Sequence, residues 1–339
     1  MRCPTTQRWD ASEKKGGRNK ASDAEPAVVE ALRQRIEVHT AGSAVEPDKI
    51  WTNRGLRQLS EDLAAEGFSL CPNTIDRLLR EELGLGRRQA IKDVSLGDHP
   101  HRNDQFERIA VLKGHFLEQG WPVVSIDTKK KEILGDFFRP GCGRTDGLVH
   151  VFDHDFPSYG SGKVIPYGVY DLAANEGFVL LATGADTGEL VCDAMRRWWY
   201  RLGRRRHEGA PYLLALADSG GSNGYRVPLF RERLCQLARS MGVSIRVAHL
   251  PPYCSKYNPI DHRLFCHLSR SLRGVVCQSI EIIRDAFADT TTSTGLRVVV
   301  EVAKRVYQKG IKAAADFLKD ETIVRDHYLP KFNYVAPAE

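Results

Sequence analysis

The chain has 339 residues, of which 42% are apolar and 27% charged, with a formal net charge of +6 and eight cysteines. Its length exceeds one compact domain and its composition excludes wholesale disorder and fibrous repeats, so a large domain with a smaller companion is expected. No apolar run reaches the roughly 20 residues of a membrane helix, the polar N-terminal stretch lacks a signal-peptide core, and the cysteines form no CxxC pair, so a cytoplasmic protein without a zinc cluster or disulfide framework is expected.

Residues 1–110 carry 18 Lys or Arg against 18 Asp or Glu, which leaves the whole positive excess to the remainder of the chain. That imbalance fits a polyanionic partner. Residues 1–45 read as a poorly ordered or weakly helical arm, with one apolar helical stretch at Val28–Ile36. A helix-turn-helix unit is predicted over 46–95, from the patterns LRQLSEDLAAEG and TIDRLLREEL on either side of Gly67. In the second helix Ile75, Leu78 and Leu79 form the inward stripe, and Arg77 and Arg80 stand outside, where a recognition helix meets DNA. Two amphipathic helices joined by a turn also occur in helical domains that bind no nucleic acid.

A charged linker ending in a helix is predicted over 96–120, followed by a catalytic domain over 121–310 and a C-terminal helix and tail over 311–339. Pro122–Asp127, Val164–Leu172, Gly177–Thr183, Tyr212–Asp218 and Val243–Leu250 read as buried strands. Gly188–Leu202, Arg226–Met241, Pro259–Leu272, Ile280–Asp289 and Leu296–Tyr307 read as helices. Strands first, then alternating helix and strand, describe an α/β domain with a mixed sheet.

Two of the most apolar strands, PVVSID and YLLALAD, end in aspartate, at Asp127 and Asp218. Ligand sites of open α/β sheets lie outside the carboxyl ends of strands, and a carboxylate at a core edge needs a compensating charge. Alone, each could simply begin a turn. In PPYCSKYNPIDHRLFCHLSRSL, Asn258 reads as an N-cap and Pro259 as the first helical residue. Asp261 shares a face with Leu264, Phe265, Leu268 and Leu272, although a capping-box role would suit it too. Three inward carboxylates can hold two hard cations roughly 3.5–4 Å apart for phosphoryl transfer.

SIDTKKKEILGDF, GKVIPYGVYDLAANEGFV, ALADSGGSNGYRV and PPYCSKYNPIDHRLF resemble blocks of the Rhodopirellula-type DDE transposases of bacterial insertion sequences, over roughly residues 45–335. The resemblance implies a ribonuclease-H-like mixed sheet flanked by helices, preceded by a small helix-turn-helix domain. It implies cleavage of double-stranded DNA at element ends, joining to target DNA, dependence on Mg²⁺ or Mn²⁺ and catalytic Asp127 and Asp218. The family's third acid, a glutamate, falls on Asp261. By analogy a homodimer on DNA is expected. A catalytically impaired remnant that only binds DNA is the alternative, motivated by Asp261.

Lys129 and Lys130 after the first aspartate, and Arg204 and Arg205 in MRRWWYRLGRRRHEG, are candidate DNA contacts. The tryptophans of that segment could equally face the core, with the arginines merely solvated. His262 and Arg263, flanking Asp261, are candidates for positioning a scissile phosphate.

Overall fold

The computed structural model describes residues 26–37, 40–42, 50–52, 54–88, 100–144, 146–153, 157–319 and 322–339. They belong to two compact units, Met1–Asp93 and Val94–Glu339.

In the first unit three helices share one core. They are α1 (Ala27–Glu37), α2 (Leu56–Ala65) and α3 (Pro72–Glu81), and two short strands, β1 (Thr40–Gly42) and β2 (Ile50–Thr52), pair antiparallel between α1 and α2. Val28, Leu32 and Ile36 recur every fourth residue, so they line one face of α1 and meet Leu59, Leu63, Ile75, Leu78 and Leu79. The expected apolar helical stretch Val28–Ile36 is α1, and its apolar face completes a core that α2 and α3 leave open. The remainder of the expected arm lies largely outside the described residues.

The second unit is built on a nine-stranded sheet of β3 (Val123–Thr128), β4 (Glu132–Leu134), β5 (Gly162–Asp171), β6 (Glu176–Gly184), β7 (Tyr212–Ala217), β8 (Ser244–His249), β9 (Arg297–Tyr307), β10 (Val324–Arg325) and β11 (Asn333–Ala336). Its order is β10-β11-β8-β7-β3-β5-β6-β9, with β4 paired to β5. Strands β3, β5 and β6 form an antiparallel meander, and β7 and β8 run parallel to β3. This meander followed by two parallel strands is the ribonuclease-H-like arrangement.

Side chains alternate across each strand and so divide the sheet into two faces. Val124, Ile126, Leu213, Ala215, Ala217, Ile245 and Val247 point to a face covered by α5 (Gly188–Trp198) and α6 (Pro228–Met241). The opposite face carries α4 (Arg102–Glu118), whose Ile109, Leu112 and Phe116 pack on Val123, Leu214 and Leu216. It also carries α7, a π-helical turn Asp261–Phe265 running into Cys266–Ser271, and α8 (Ile280–Ala288). The expected linker helix is thus an integral layer of the second unit, because its apolar stripe has the sheet to cover.

Two further expectations are corrected. Leu296–Tyr307, read as a helix, is strand β9 from Arg297, parallel to β6. Its sequence RVVVEVAKRVY holds five valines, whose branched Cβ atoms are stiff at χ1 and favour the pleated surface. The C-terminal segment, expected as helix and tail outside a catalytic domain ending at 310, contributes a short helix, α9 (Ala315–Lys319), and then β11. That strand pairs antiparallel with β8, and Tyr334 is wholly buried.

Candidate active site

Two acids come together because their strands are neighbours in register. Ile126 pairs with Ala217 in the parallel β3–β7 ladder, so Asp127 and Asp218 follow at matching positions at the carboxyl ends of adjacent strands. Strand alternation sends both towards the face that carries α7.

The third acid is brought in by a latch. Ser125 lies two residues before Asp127 on the same face and is wholly buried. Its hydroxyl donates to Asn258 Oδ1 at 2.5 Å and accepts the backbone N–H of Ile260 at 3.2 Å. The entry to α7 is thereby pinned on β3. Asn258, also wholly buried, turns its amide nitrogen to the acids: Nδ2 donates to Asp218 Oδ1 at 3.2 Å and reaches Asp127 Oδ2 at 3.5 Å. Both oxygens are therefore within reach of one amide group.

Asp261 opens the π-helical turn three residues later, its backbone N–H donating to the Asn258 carbonyl at 3.2 Å. Leu264, Phe265, Leu268 and Leu272 are buried as their spacing predicted. The packing of α7 depends on two glycines in the strands beneath. A Cβ at Gly168 would lie 2.6 Å from the Phe265 ring, and one at Gly177 would lie 2.5 Å from a Leu264 methyl. Only the absence of side chains there lets α7 settle so close to β5 and β6.

Electrostatics mark the acids as a cluster. Burial, and then the neighbouring Asp218, pushes Asp127 up to about 8. Burial and Asp261 push Asp218 up to about 6. Burial also raises Asp261, against a small opposing effect of His262. Among the described residues no lysine or arginine forms an ion pair with any of the three. The like charges are relieved by the Asn258 amide, by the Thr128 N–H, which donates to Asp127 Oδ1 at 2.7 Å, and by His262 beside Asp261. Oxygen ligands with uncompensated negative charge suit a hard divalent cation. Among the described residues, no three His, Cys, Asp or Glu side chains gather tightly enough to surround a single ion.

Sequence reasoning missed several supports. It read Asn258 only as an N-cap, although the residue before the helix holds the acids instead. Asp186, in the loop after β6, adds to the negative field on Asp127, and its Oδ1 is buried without a hydrogen-bond partner. Its signal was an acid just past an apolar strand, the same signal that marked Asp127 and Asp218. Behind Asp218, buried His249 donates from Nδ1 to the Asp218 carbonyl at 2.8 Å. Burial depresses His249 to about 4, so the ring is neutral. Gln105 of α4 donates to the His249 carbonyl at 2.8 Å and exchanges amide hydrogen bonds with Asn333 of β11.

The expected DNA contacts fall in different surroundings. Lys129 is buried and paired with Glu132, its ammonium 5.8 Å from the Phe287 ring, so it does not offer a phosphate contact. The reason is local: Glu132 lies on β4, which folds back along β5, and its carboxylate also binds Arg139. Lys130 is exposed. His262 and Arg263 are exposed on α7; His262 donates to the Lys256 carbonyl at 2.5 Å, and Arg263 stands beside the Tyr170 hydroxyl. Trp198 and Trp199 are buried in the core, whereas Arg204 and Arg205 are solvated. In the first unit Arg77 is half-buried and exposed Arg80 pairs with Asp76 at 3.0 Å.

The chain is similar in structure to a Mos1 transposase paired-end complex with left transposon end, with a TM-score of 0.45 and 16% identity over 83% of this chain and 75% of that one. It is similar also to the Mos1 mariner paired-end complex with Mn, with a TM-score of 0.41 and 14% identity over 81% and 72% of the two chains. No curated protein sequence matches it. Residues 31–338 match the model of the Rhodopirellula transposase DDE domain, nearly the whole chain, and the protein belongs to that transposase family.

Proposed function

We propose that the chain cleaves double-stranded DNA at the ends of an insertion sequence and joins the resulting 3′-hydroxyls to target DNA, with Asp127, Asp218 and Asp261 as the catalytic acids. The observation that carries this reading is the Asn258 amide nitrogen, 3.2 Å from Asp218 and 3.5 Å from Asp127. One buried group tethers both strand-end acids at the entry to the helix that bears the third.

Asp127, Asp218 and Asp261 would together hold the divalent metal, two ions of Mg²⁺ or Mn²⁺. Bound there, divalent ions supply an activated water or 3′-hydroxyl and offset charge on the leaving oxygen. The protein's own part is to hold deprotonated carboxylates in place. Asn258 fixes two of them, Ser125 fixes Asn258, and neutral His249 fixes the backbone of Asp218. Lys130, Arg263 and His262, exposed and close in sequence to the acids, would meet backbone phosphates. In the first unit α3 is the proposed recognition helix, with Arg77 and Arg80 towards DNA and exposed Asn73 beside them. A homodimer on DNA follows from the need to hold two ends together.

Incubation with supercoiled plasmid and MnCl₂ tests the reading. Wild type is expected to nick, and Asp127→Asn and Asp218→Asn are expected not to. Asp261, a methylene shorter than the family's glutamate, favours a second reading, a protein that binds DNA without cutting it. Retained binding of end DNA with no nicking by wild type would establish that alternative.

A further inference from the structure

A cavity of about 540 Å³ opens beside Asp218. Its walls are the glycine-rich loop after β7, with Gly220 and Gly221, then Tyr225 and Arg226, and the turn Pro251-Pro252-Tyr253 after β8. Most of this wall is pinned. The Ser219 hydroxyl donates to the Leu250 carbonyl, and Asn223 Nδ2 donates to the Ile126 carbonyl at 3.3 Å. The Tyr225 ring meets Phe332 edge-on at 5.2 Å between centroids, and the Arg226 guanidinium lies 5.2 Å from the Tyr225 centroid.

Tyr253 differs from its neighbours. Cys254 N–H donates to the Pro251 carbonyl at 3.2 Å, closing a β-turn with Pro252 in second place and Tyr253 in third. Tyr253 has φ +61°, and a positive φ at the third position of a turn selects glycine or asparagine. A bulky residue there is strained, and such strain gathers at ligand contacts. Tyr253 is 74% exposed and its side chain has no hydrogen bond or ring partner among the described residues, so packing within the chain does not explain it.

We propose that this cavity receives one unstacked nucleobase of the DNA strand beside the phosphate held near Asp218, with the Tyr253 ring as its stacking face. This rests on the reading of the site as a polynucleotide transferase. The lining selects the ligand class. Asp218 and Arg226 give the cavity polar edges that an aliphatic group would desolvate without replacing their hydrogen bonds to water. A planar, uncharged ring with hydrogen-bonding edges suits an aromatic face, a carboxylate and a glycine floor, while exposed Arg226 suits the adjoining phosphate.

Fluorescence anisotropy with the full chain tests the proposal, using a labelled dodecameric oligothymidylate and a strand of equal length built from abasic tetrahydrofuran units. The two probes carry the same phosphates. Wild type is expected to bind the base-bearing strand about tenfold more tightly, the scale of one base stacked on an aromatic ring. Tyr253→Gly should lose that preference, keep its affinity for the abasic strand and melt no lower than wild type, because glycine suits the turn. Tyr253→Phe should retain the preference. The proposal is overturned if wild type does not distinguish the strands, if Tyr253→Gly still does, or if Tyr253→Gly weakens both alike. Plasmid nicking by the same wild-type preparation reads the transferase assignment separately: nicking without a Tyr253-dependent preference removes the base pocket alone, and absence of nicking removes the transferase reading on which the pocket's substrate depends.

Discussion

The Tyr334 hydroxyl donates a hydrogen bond to Nε2 of His249 at 3.0 Å, and both residues are wholly buried. Because Nδ1 of the same ring donates to the Asp218 carbonyl, Nε2 must be the acceptor, and the last strand of the sheet reaches a proposed catalytic residue through one imidazole.

Tyr334→Phe keeps the ring packing and removes only the donor, leaving a buried imidazole nitrogen unsatisfied. The expected loss is about 1–2 kcal/mol in urea unfolding, within the range for such an orphaned group. Nicking should fall as well, since the tautomer that holds Asp218 is no longer fixed. Unchanged stability and unchanged nicking would show that the relay carries nothing.

Asn258→Ala removes the amide that faces Asp218 and Asp127, and Asn258→Asp replaces it with a fourth negative charge. Groups that orient metal ligands are typically worth about 10–100-fold in metal affinity or activity, and a loss of that order in Mn²⁺-dependent nicking is expected for Asn258→Ala. Asn258→Asp should lose more and should also melt lower without metal. Ser125→Ala, which frees Asn258 without touching the acids, should show a smaller loss in the same assay.

The pH dependence has a definite sign. Asp127 and Asp218 hold their protons more tightly in the folded chain, up to about 8 and about 6, than in the unfolded one. The metal-free protein therefore draws full stabilisation from them at acid pH, below the ordinary carboxyl range, and loses it as the pH rises through those two values. Divalent ions bind the deprotonated acids, so the melting shift caused by MnCl₂ should grow from about pH 6 to about pH 8. Asp127→Asn should melt a few degrees above metal-free wild type at the upper pH, given that about 1 kcal/mol moves the midpoint of a domain this size by roughly 2–4 °C. It should also lose most of the MnCl₂ shift, and a variant that responds to MnCl₂ as wild type does would remove Asp127 from the ligand set.

Gly168→Ala and Gly177→Ala place a methyl group under α7, one against the Phe265 ring and the other against a Leu264 methyl. Overpacking of this kind costs about 1–3 kcal/mol. The Gly168 variant should be the less stable of the two, since a ring yields less readily than a leucine end. Calorimetry on both variants decides the order.

The strands that carry the first two acids were legible because each is an apolar run closed by an aspartate, and burial on both faces imposes that pattern. The face of α7 was legible from its spacing alone. Strand β9 was not, because its apolar residues satisfy both a helical and an extended period, and valine content was the signal that should have decided. Strand β11 offers only NYVA, too short for any period, and its partners on β8 lie 85 to 91 residues earlier, from Asn333 with Ala248 to Ala336 with Ile245. The role of Asn258 was hidden because asparagine before a helix has an ordinary capping use. The burial of Lys129 was hidden because the sequence does not show that Glu132, only three residues on, faces it once β4 lies along β5.

The glycine hollow under α7 bears on how this family can vary. Since α7 is seated by Gly168 and Gly177 and latched by Ser125, its depth against the sheet is indexed by strands β3, β5 and β6 and not by the length of chain that leads to it. Insertions or deletions between Asp218 and Asn258 would then be absorbed in the loops, while the third carboxylate stayed at the same distance from the sheet. The depth of Asp261 against the sheet is then independent of the length of the loops that precede it.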